Sequence, residues 1–347
     1  MIALRIKQID VKGTSRECGR ELGRIWRDTL RSVMQASAER PQWWRQRELA
    51  KLVRKHVPHL PDLYEGFAEG SKIDPRKLVI PTPADLFNGC TSFAVEASAT
   101  LNHRLLCGQT KDNPMSRMKF LQMLKMEPTD APSLLTFTYP GVLFGHGFAE
   151  GGCAVFRNSL YAGMQSDKLL PYDVWGLLTT HCKTVDAAID LVETYGVNEP
   201  FHCTVSDAKG KVVGIEHGTG GTSVLHPKRG IYAHANNVRG GEKLKRHERA
   251  PRDFIRSSKC RGEVLAQNLL RQSPRLTPHL AFAAMASHEN YPRGVCNHES
   301  DEFCTGAAIV AEPASGRLWV TPGPPCEHWP IEFSLTGAPA LPATGQS

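Results

Sequence analysis

The pattern of apolar and polar residues divides the chain into a helix-rich beginning and a strand-rich remainder. In the first 89 residues, apolar positions recur at intervals of three and four, as on one face of an amphipathic helix. Residues 14–17 (Thr-Ser-Arg-Glu) can form a capping box for the first helix. We predict further helices over residues 47–57 and 63–70, followed by an irregular segment that contains Pro75, Pro81 and Pro83.

After residue 90, short apolar and β-branched runs are separated by turn pairs such as Lys209-Gly210 and Ser315-Gly316. Two helices, over residues 185–195 and 253–272, interrupt these runs. Strand-rich blocks with separate helices predict an α+β fold rather than alternating parallel units. The predicted strands cover residues 92–97, 105–110, 134–139, 153–160, 201–205, 212–217, 223–226, 231–236, 307–311 and 318–321.

Length and composition indicate a globular protein. The chain has 347 residues, of which 41% are hydrophobic and 22% are charged, and this suffices for one large domain or two ordinary ones. No run approaches the roughly 20 apolar residues that span a bilayer, and the first residues lack the apolar core of a signal peptide. We therefore expect a cytoplasmic protein that has no membrane partner.

The net charge of +7 is spread along most of the chain, whereas nucleic-acid-binding proteins usually gather basic residues on one face. We therefore expect no nucleic-acid partner. One basic cluster is either a solvated loop or a rim that attracts an anionic substrate or acyl donor. This basic cluster consists of Arg239, Lys243, Lys245, Arg246, Arg249 and Arg252.

The ten cysteines are dispersed and include no Cys-x-x-Cys pair. Disulfide frameworks belong mainly to small secreted proteins, so we expect most of these cysteines to be buried reduced thiols. Cys90 differs because it directly follows Asn88-Gly89, at the boundary between the helix-rich and strand-rich parts. It is either one more buried thiol or a nucleophile.

Several motifs resemble those of a known family. Cys90-Thr91-Ser92, followed by residues 108–112 (Gly-Gln-Thr-Lys-Asp), resembles the start of the mature β-chain in the acyl-coenzyme A:isopenicillin N acyltransferase family. This is the C45 peptidase group of the N-terminal-nucleophile hydrolase superfamily, related to choloylglycine hydrolases and penicillin V acylases. Further segments that match in order are 13–14, 19–23, 64–70, 145–153, 214–216, 233–237 and 289–296.

The resemblance implies a four-layer αββα fold and a precursor that cuts itself between Gly89 and Cys90. Residues 1–89 would become a helical short chain and residues 90–347 the catalytic long chain, and the two would stay associated as one structural unit. The protein is also a candidate homo-oligomer.

The residue types at this junction suit self-cleavage. The Cys90 thiol can attack the Gly89 carbonyl and shift the acyl group from nitrogen to sulfur, after which water releases the short chain. Gly89 has no Cβ that would hinder the attack. Cleavage frees an α-amino group with an ordinary pKa of about 7.7–8.0, so that Cys90 can supply both the nucleophile and its base.

Two further catalytic residues are implied by the resemblance. Asp112 is expected beside the Cys90 amine, which a carboxylate would orient and stabilise as an ammonium ion. Asn236 matches the family's oxyanion-hole asparagine, whose side-chain NH₂ would donate to the tetrahedral intermediate. The alternatives are a turn-capping aspartate and an asparagine that closes a turn.

The late loop departs from the family pattern. Asn297 stands where the family has an active-site arginine, and it cannot supply a permanent cation. Arg293 is the nearest substitute, so Arg293 and Asn297 are the candidate substrate-binding residues. A competing interpretation makes this region a zinc site, but its spacing fits no usual zinc pattern, and we predict no metal. That site would use His288, Cys296, His298 and Cys304.

The predicted function is that of a self-processing amidohydrolase with an N-terminal cysteine. It would cleave a small N-acyl substrate through an acyl-enzyme, without a metal or an organic cofactor. One alternative is an acyl-coenzyme A-dependent N-acyltransferase, which would bind an acyl-thioester substrate. Another is a catalytically inactive scaffold with the same fold.

Overall fold

The computed structural model of the chain describes residues 6–33, 45–73, 89–114, 118–163, 170–298 and 303–336, without the side chains of Asp173 and Phe303. Its helices are α1 (Ser15–Val33), α2 (Arg47–His56), α3 (Leu60–Ser71), α4 (Tyr172–His181), α5 (Val185–Tyr195), α6 (Glu242–Lys245), α7 (Arg252–Gln272) and α8 (Pro278–Met285).

The strands fall into two sheets. One contains β1 (Lys7–Gly13), β4 (Gln122–Pro128), β5 (Leu134–Thr138), β6 (His146–Ala149), β7 (Ala154–Ser159), β8 (Phe201–Ser206), β9 (Val212–Gly218) and β10 (Gly221–Leu225), in that spatial order. The other contains β11 (Ile231–His234), β2 (Cys90–Val95), β3 (Leu106–Pro114), β12 (Phe303–Glu312), β13 (Arg317–Val320) and β14 (Ile331–Ser334). The described neighbours pair antiparallel, except that β1 pairs with β4 in parallel.

Three apolar cores separate four layers. The first lies between helices α1–α5 and the eight-stranded sheet, and the second lies between the two sheets. The third lies between the six-stranded sheet and helices α7 and α8. Since both sheets are covered on both faces, strands such as β2 are buried along their whole length. The predicted α+β fold with αββα layers is confirmed.

Helix α1 begins with a capping box and packs closely on α3. In α1, the Thr14 N–H donates to Glu17 Oε2 at 2.7 Å and the Glu17 N–H donates to Thr14 Oγ1 at 3.3 Å, which is the predicted capping box. Helices α1 and α3 approach so closely that a Cβ at Gly19 or Gly66 would overlap the backbone of the partner helix. The glycines of segments 19–23 and 64–70 therefore permit α1 and α3 to pack closely.

The predicted strands and helices are all present, with α5 at its predicted bounds and most of the others at shifted ends. The prediction missed β1, β4, β6, β14, α4, α6 and α8, and β1 shows that residues 1–89 are not purely helical. The predicted irregular segment around Pro75, Pro81 and Pro83 lies outside the described residues. Within the described ranges, no helix is both long enough and apolar enough to cross a membrane.

Candidate active site

Cys90 is the first residue of β2, which lies between β11 and β3 in the six-stranded sheet, and its neighbour in register on β3 is Lys111. The Cys90 side chain is buried, with 1% of its surface exposed. The Gly89 carbonyl oxygen accepts a hydrogen bond from the Asp112 backbone N–H at 3.0 Å. The peptide before Cys90 is therefore held in the β2–β3 ladder.

The Asp112 carboxylate lies directly against this peptide. It is fully buried, and its Oδ1 accepts a hydrogen bond from Thr305 Oγ1 at 2.6 Å. A Cβ at Gly89 would lie 2.7 Å from Asp112 Oδ2, closer than real Cβ atoms approach such an oxygen. Glycine at position 89 thus leaves room for the carboxylate as well as for attack on the carbonyl.

Asn236 follows β11 and contacts the nitrogen of Cys90. Its Oδ1 accepts a hydrogen bond from the Cys90 N–H at 2.9 Å, and its Nδ2 donates to the Ser159 carbonyl at 2.9 Å. The structure therefore brings Cys90, Asp112 and Asn236 together. In the intact chain, however, the asparagine presents its oxygen to Cys90, and its NH₂ group is held by Ser159.

Arg261 of α7 is a fourth buried residue of the site, and the sequence analysis missed it. Its Nη1 donates to the Cys90 carbonyl at 3.0 Å and to Thr91 Oγ1 at 2.7 Å, while Nη2 donates to Asn236 Oδ1 at 3.0 Å. Nη1 also lies 3.9 Å from Asp112 Oδ2. Arg261 thus places a cation beside Cys90 and Asp112, whereas Asn297, at the position of the family's arginine, carries no charge.

A signal for Arg261 was present in the sequence. It shares the buried face of α7 with Ser258, Val264 and Leu265. Arginine is almost never fully buried unless it is paired. A charged residue on the apolar face of a predicted helix therefore indicates a buried polar partner.

Replacing Arg261 with methionine is expected to lower kcat by roughly a hundredfold, because a misplacement of about 1 Å in the groups that it holds can cost about that much in rate. It should also lower the free energy of unfolding by about 3–5 kcal/mol, since the Asp112 carboxylate is left buried without its nearby cation. KM should change little, because the hydrogen bonds of Arg261 go to Cys90 and Asn236 of the protein, so that it positions these residues. Arg261→Lys should recover part of the rate, because lysine keeps the charge but not the forked geometry. Steady-state kinetics with an N-acyl substrate measures both constants.

The matched control for this experiment is Arg256→Met. Arg256 lies on the same helix, its side chain is 67% exposed, and it pairs only with exposed Asp253 among the contacts described. Surface pairs of this kind contribute little, so its kcat should stay close to that of the unmodified protein. An Arg261→Met enzyme with unchanged kcat would remove Arg261 from the site.

The protonation state of the thiol follows from its surroundings. Burial raises the pKa of the Cys90 thiol, and the nearby positive charge of Lys111 only partly opposes this. The thiol is therefore neutral at physiological pH, and attack requires a base. In the intact chain the Cys90 nitrogen is an amide that donates to Asn236, so it cannot serve as that base until the preceding peptide bond is cut.

A buried histidine–glutamate contact fixes the end of β11 beside Asn236. His234 Nε2 lies 2.6 Å from Glu216 Oε1, and both side chains are fully buried. Burial raises the pKa of Glu216, but bonding to His234 and to the backbone N–H groups of Arg239 and Gly240 outweighs it, and the pKa falls below its ordinary value. Glu216 thus stays ionised and anchors the turn that carries Asn236.

The two predicted substrate-binding residues lie in the loop after α8. The Asn297 N–H donates to Thr305 Oγ1 at 2.8 Å, and the Asn297 carbonyl accepts from the Thr305 N–H at 2.9 Å. The Thr305 hydroxyl bonds to Asp112, so Asn297 supports the site through its backbone. The Arg293 N–H donates to the Asn290 carbonyl within a turn. A role for either residue in substrate binding remains a prediction.

A cavity of about 550 Å³ lies between β11 and α7. Asn237 and Ser258 line it, and the Ser258 hydroxyl accepts a hydrogen bond from the Asn236 N–H at 2.7 Å. Cys90 is not among its lining residues. The cavity is therefore linked to Cys90 only indirectly, through Ser258 and Asn236. Its basic lining residues include two members of the basic cluster and are Lys228, Arg229, Arg239, Lys245 and Lys259.

Comparison with known proteins bears on this site. The sequence model of the family described as "Acyl-coenzyme A:6-aminopenicillanic acid acyl-transferase" matches residues 99–326, more than half of the chain. The chain belongs to this family. Asp112, Asn236 and Arg261 lie within the matched range, and Cys90 precedes it. Membership of the acyl-transferase family supports an enzyme of the hydrolase and acyltransferase class that acts on amides.

Two solved structures are similar to this member of the acyl-transferase family. Penicillin V acylase from Agrobacterium tumefaciens is 13% identical, with 71% of this chain and 86% of that chain covered and a TM-score of 0.45. A mutant of the conjugated bile acid hydrolase from Clostridium perfringens is 12% identical, with coverage of 67% and 88% and a TM-score of 0.43. At this level neither bears on the chemistry of the site. No curated protein matched the sequence.

Proposed function

We propose that the protein is a self-processing amidohydrolase whose catalytic nucleophile is Cys90 after cleavage of the Gly89–Cys90 bond. The observation that carries this proposal is the set of hydrogen bonds to the peptide groups on both sides of that bond. The Gly89 carbonyl accepts from the Asp112 N–H, the Cys90 N–H donates to Asn236, and the Cys90 carbonyl accepts from Arg261. Buried peptide groups are paired in any strand, but here two of the partners are buried polar side chains, Asn236 and Arg261, and the Asp112 carboxylate lies against the same peptide.

Self-cleavage follows from these contacts. Cys90 Sγ attacks the Gly89 carbonyl carbon. In the tetrahedral intermediate the Cys90 nitrogen has lost its amide resonance and has become basic, so it accepts the thiol proton as the C–N bond breaks. The Asp112 N–H, already bonded to that carbonyl oxygen, stabilises the oxyanion. Water then hydrolyses the thioester, which leaves a carboxylate on Gly89, and a free thiol and a free amine on Cys90.

Turnover uses the same groups on an external substrate. The Cys90 amine accepts the thiol proton, and Sγ attacks the amide carbonyl of an N-acyl compound to form a thioester. The amine returns the proton to the leaving nitrogen, and water resolves the acyl-enzyme. The Asp112 carboxylate lies against Gly89, the residue that cleavage separates from Cys90. It is therefore placed to hold and orient the new ammonium group of Cys90.

The two chains are expected to remain together after cleavage. β1 pairs along its whole length with β4, and α1 and α3 bury Leu22, Trp26 and Phe67 in the core beneath the eight-stranded sheet. Full burial of one large apolar side chain contributes about 1.5–3 kcal/mol. Several such side chains, together with a strand ladder, hold residues 1–89 to the remainder.

Gly89→Ala is expected to slow self-cleavage by about tenfold or more, because the added Cβ would meet Asp112 Oδ2 at 2.7 Å. Gly262→Ala is the matched control. A Cβ there has no neighbour closer than 3.7 Å, and alanine favours a helix, so processing should be unaffected. Gel electrophoresis of timed samples follows both variants. Equal processing rates would show that the carboxylate does not confine position 89.

Acyl transfer is the second candidate function. The basic lining of the cavity between β11 and α7 favours an anionic acyl donor such as an acyl-coenzyme A thioester. A substrate panel separates the two functions. Hydrolysis predicts release of free acid from N-acyl amino acids or penicillins, without added amine. Transfer predicts that a new amide forms only when an acyl thioester and an amine are both present.

A further inference from the structure

Four side chains with metal-binding atoms meet beside the late loop. His288, Cys296 and His298 follow α8, whereas Cys326 follows β13. Their ligand atoms all lie within 4.8 Å of one another. We call these four residues the His–Cys cluster.

The spacing of the His–Cys cluster fits tetrahedral zinc. Zinc–sulfur bonds of about 2.3 Å and zinc–nitrogen bonds of about 2.0–2.1 Å place two sulfur ligands about 3.8 Å apart and a sulfur and a nitrogen ligand about 3.5 Å apart. Cys296 Sγ lies 3.6 Å from Cys326 Sγ and 3.4 Å from His298 Nε2, and His298 Nε2 lies 3.2 Å from Cys326 Sγ. Three edges of the expected tetrahedron are therefore present.

The fourth member completes the donor set. The rings of His288 and His298 stand edge to face, with centroids 5.1 Å apart and an interplanar angle of 76°. Two thiolates and two imidazoles form one of the common ligand sets of structural zinc. Soft thiolates select against the hard cations Mg²⁺ and Ca²⁺, which prefer oxygen.

We propose that His288, Cys296, His298 and Cys326 bind one Zn²⁺ ion as a closed structural site. Four protein ligands leave no open position for a substrate, so the ion stabilises the fold and takes no step in the reaction. It would tie the loop after α8 to the segment after β13, two parts of the chain that are distant in sequence.

The position of the cluster gives the ion a role near the nucleophile. Asn297 stands between two of the ligands, and its N–H donates to Thr305 Oγ1 at 2.8 Å. The Thr305 hydroxyl in turn donates to Asp112 Oδ1 at 2.6 Å. A zinc ion that fixes residues 296–298 thereby fixes the chain of hydrogen bonds that orients the Asp112 carboxylate.

This proposal reverses the prediction of no metal, and the structure also changes the membership of the zinc site that was considered and set aside from sequence. Cys304, which was included there, lies on β12 opposite Asn113 of β3 and is not part of the cluster. Cys326 takes its place. Because Cys326 is brought in by the turn after β13, the four ligands follow none of the usual zinc spacings along the sequence.

The zinc content of the full-length protein, purified under reducing conditions and incubated with Zn²⁺ before desalting, tests this proposal. Elemental analysis should find about one zinc per chain. Cys326→Ser should lose most of it, and Cys326→His should retain it, because imidazole is also a zinc ligand. The control Cys182→Ser changes a half-buried thiol on α4's C-terminal side, outside the cluster, and should keep the full amount.

A second measurement does not depend on the folding of any variant. Removing the metal from the unmodified protein with a strong chelator should lower Tm by several degrees, and Zn²⁺ should restore it, since a ligand that binds only the folded state stabilises it. Co²⁺ should replace zinc and give the visible absorption bands of a tetrahedral thiolate site. Protein without stoichiometric zinc, or with a Cys296–Cys326 disulfide instead, would overturn the proposal.

Discussion

Cys90→Ala is expected to leave the protein as one uncut chain of 347 residues and to abolish turnover, because both reactions begin with attack by the same sulfur. Cys90→Ser should slow both reactions strongly, since a buried hydroxyl loses its proton much less readily than a thiol. Denaturing gel electrophoresis shows the processing state, and release of free acid from an N-acyl substrate shows turnover.

The control for the Cys90 variants is Cys107→Ala. Cys107 is also a fully buried thiol in the six-stranded sheet, where it lies on β3 opposite Ala94. Its loss removes a similar volume, so any cost in stability is comparable, but processing and turnover should persist. If Cys90→Ala were still cleaved after Gly89, another group would be the nucleophile.

Asp112→Asn is expected to lower turnover by about a hundredfold or more, a loss typical of a positioned acid–base group. Asparagine has nearly the same size and can still accept a hydrogen bond from Thr305, but it cannot pair with the Cys90 ammonium group or balance the charge of Arg261. Kinetics on a purified, processed sample isolates this effect from self-cleavage.

Asp130→Asn provides the matched control for Asp112→Asn. The Asp130 carboxylate, in the exposed turn between β4 and β5, accepts two hydrogen bonds from Ser15 at the start of α1, at 2.8 and 2.7 Å. Its loss should lower stability without changing kcat. If both variants kept full kcat, the Asp112 carboxylate would have no part in turnover.

The sequence predicts the fold well where local signals are strong. Helix α5 has the predicted bounds because Thr184 caps its start, with its hydroxyl bonded to the Ala187 N–H, and Gly196 ends it. By contrast, β4 carries Lys125 and Glu127 among its apolar residues, and β6 has only four residues. Such strands lack the run or alternation of apolar residues that would predict them, and their pairing with neighbouring strands stabilises them.

The strand β1 shows a different cause of error. Ile9 and Val11 are buried at alternate positions, which is the period of a strand. This short signal precedes a long amphipathic helix, and the helix dominated the interpretation of residues 1–89. The alternation was readable, but only the pairing with β4 gives it a partner.

The candidate site was predictable only where its residues are brought together by local strand pairing. Cys90 and Asp112 lie on adjacent strands of one hairpin, so their proximity follows from local pairing. The position of Arg261 depends on how α7 packs on β2 and β11, which no local pattern specifies. The orientation of the Asn236 amide also depends on this packing, because Arg261 and Ser159 contact its two ends.

The most direct test of the account is the intact mass of the unmodified protein, purified after expression and denatured before measurement. We expect two polypeptides, residues 1–89 and residues 90–347, the second with Cys90 as its free N-terminus. A single uncut chain that nevertheless hydrolyses N-acyl substrates at full rate would contradict it, because an internal cysteine has no α-amine to accept its proton.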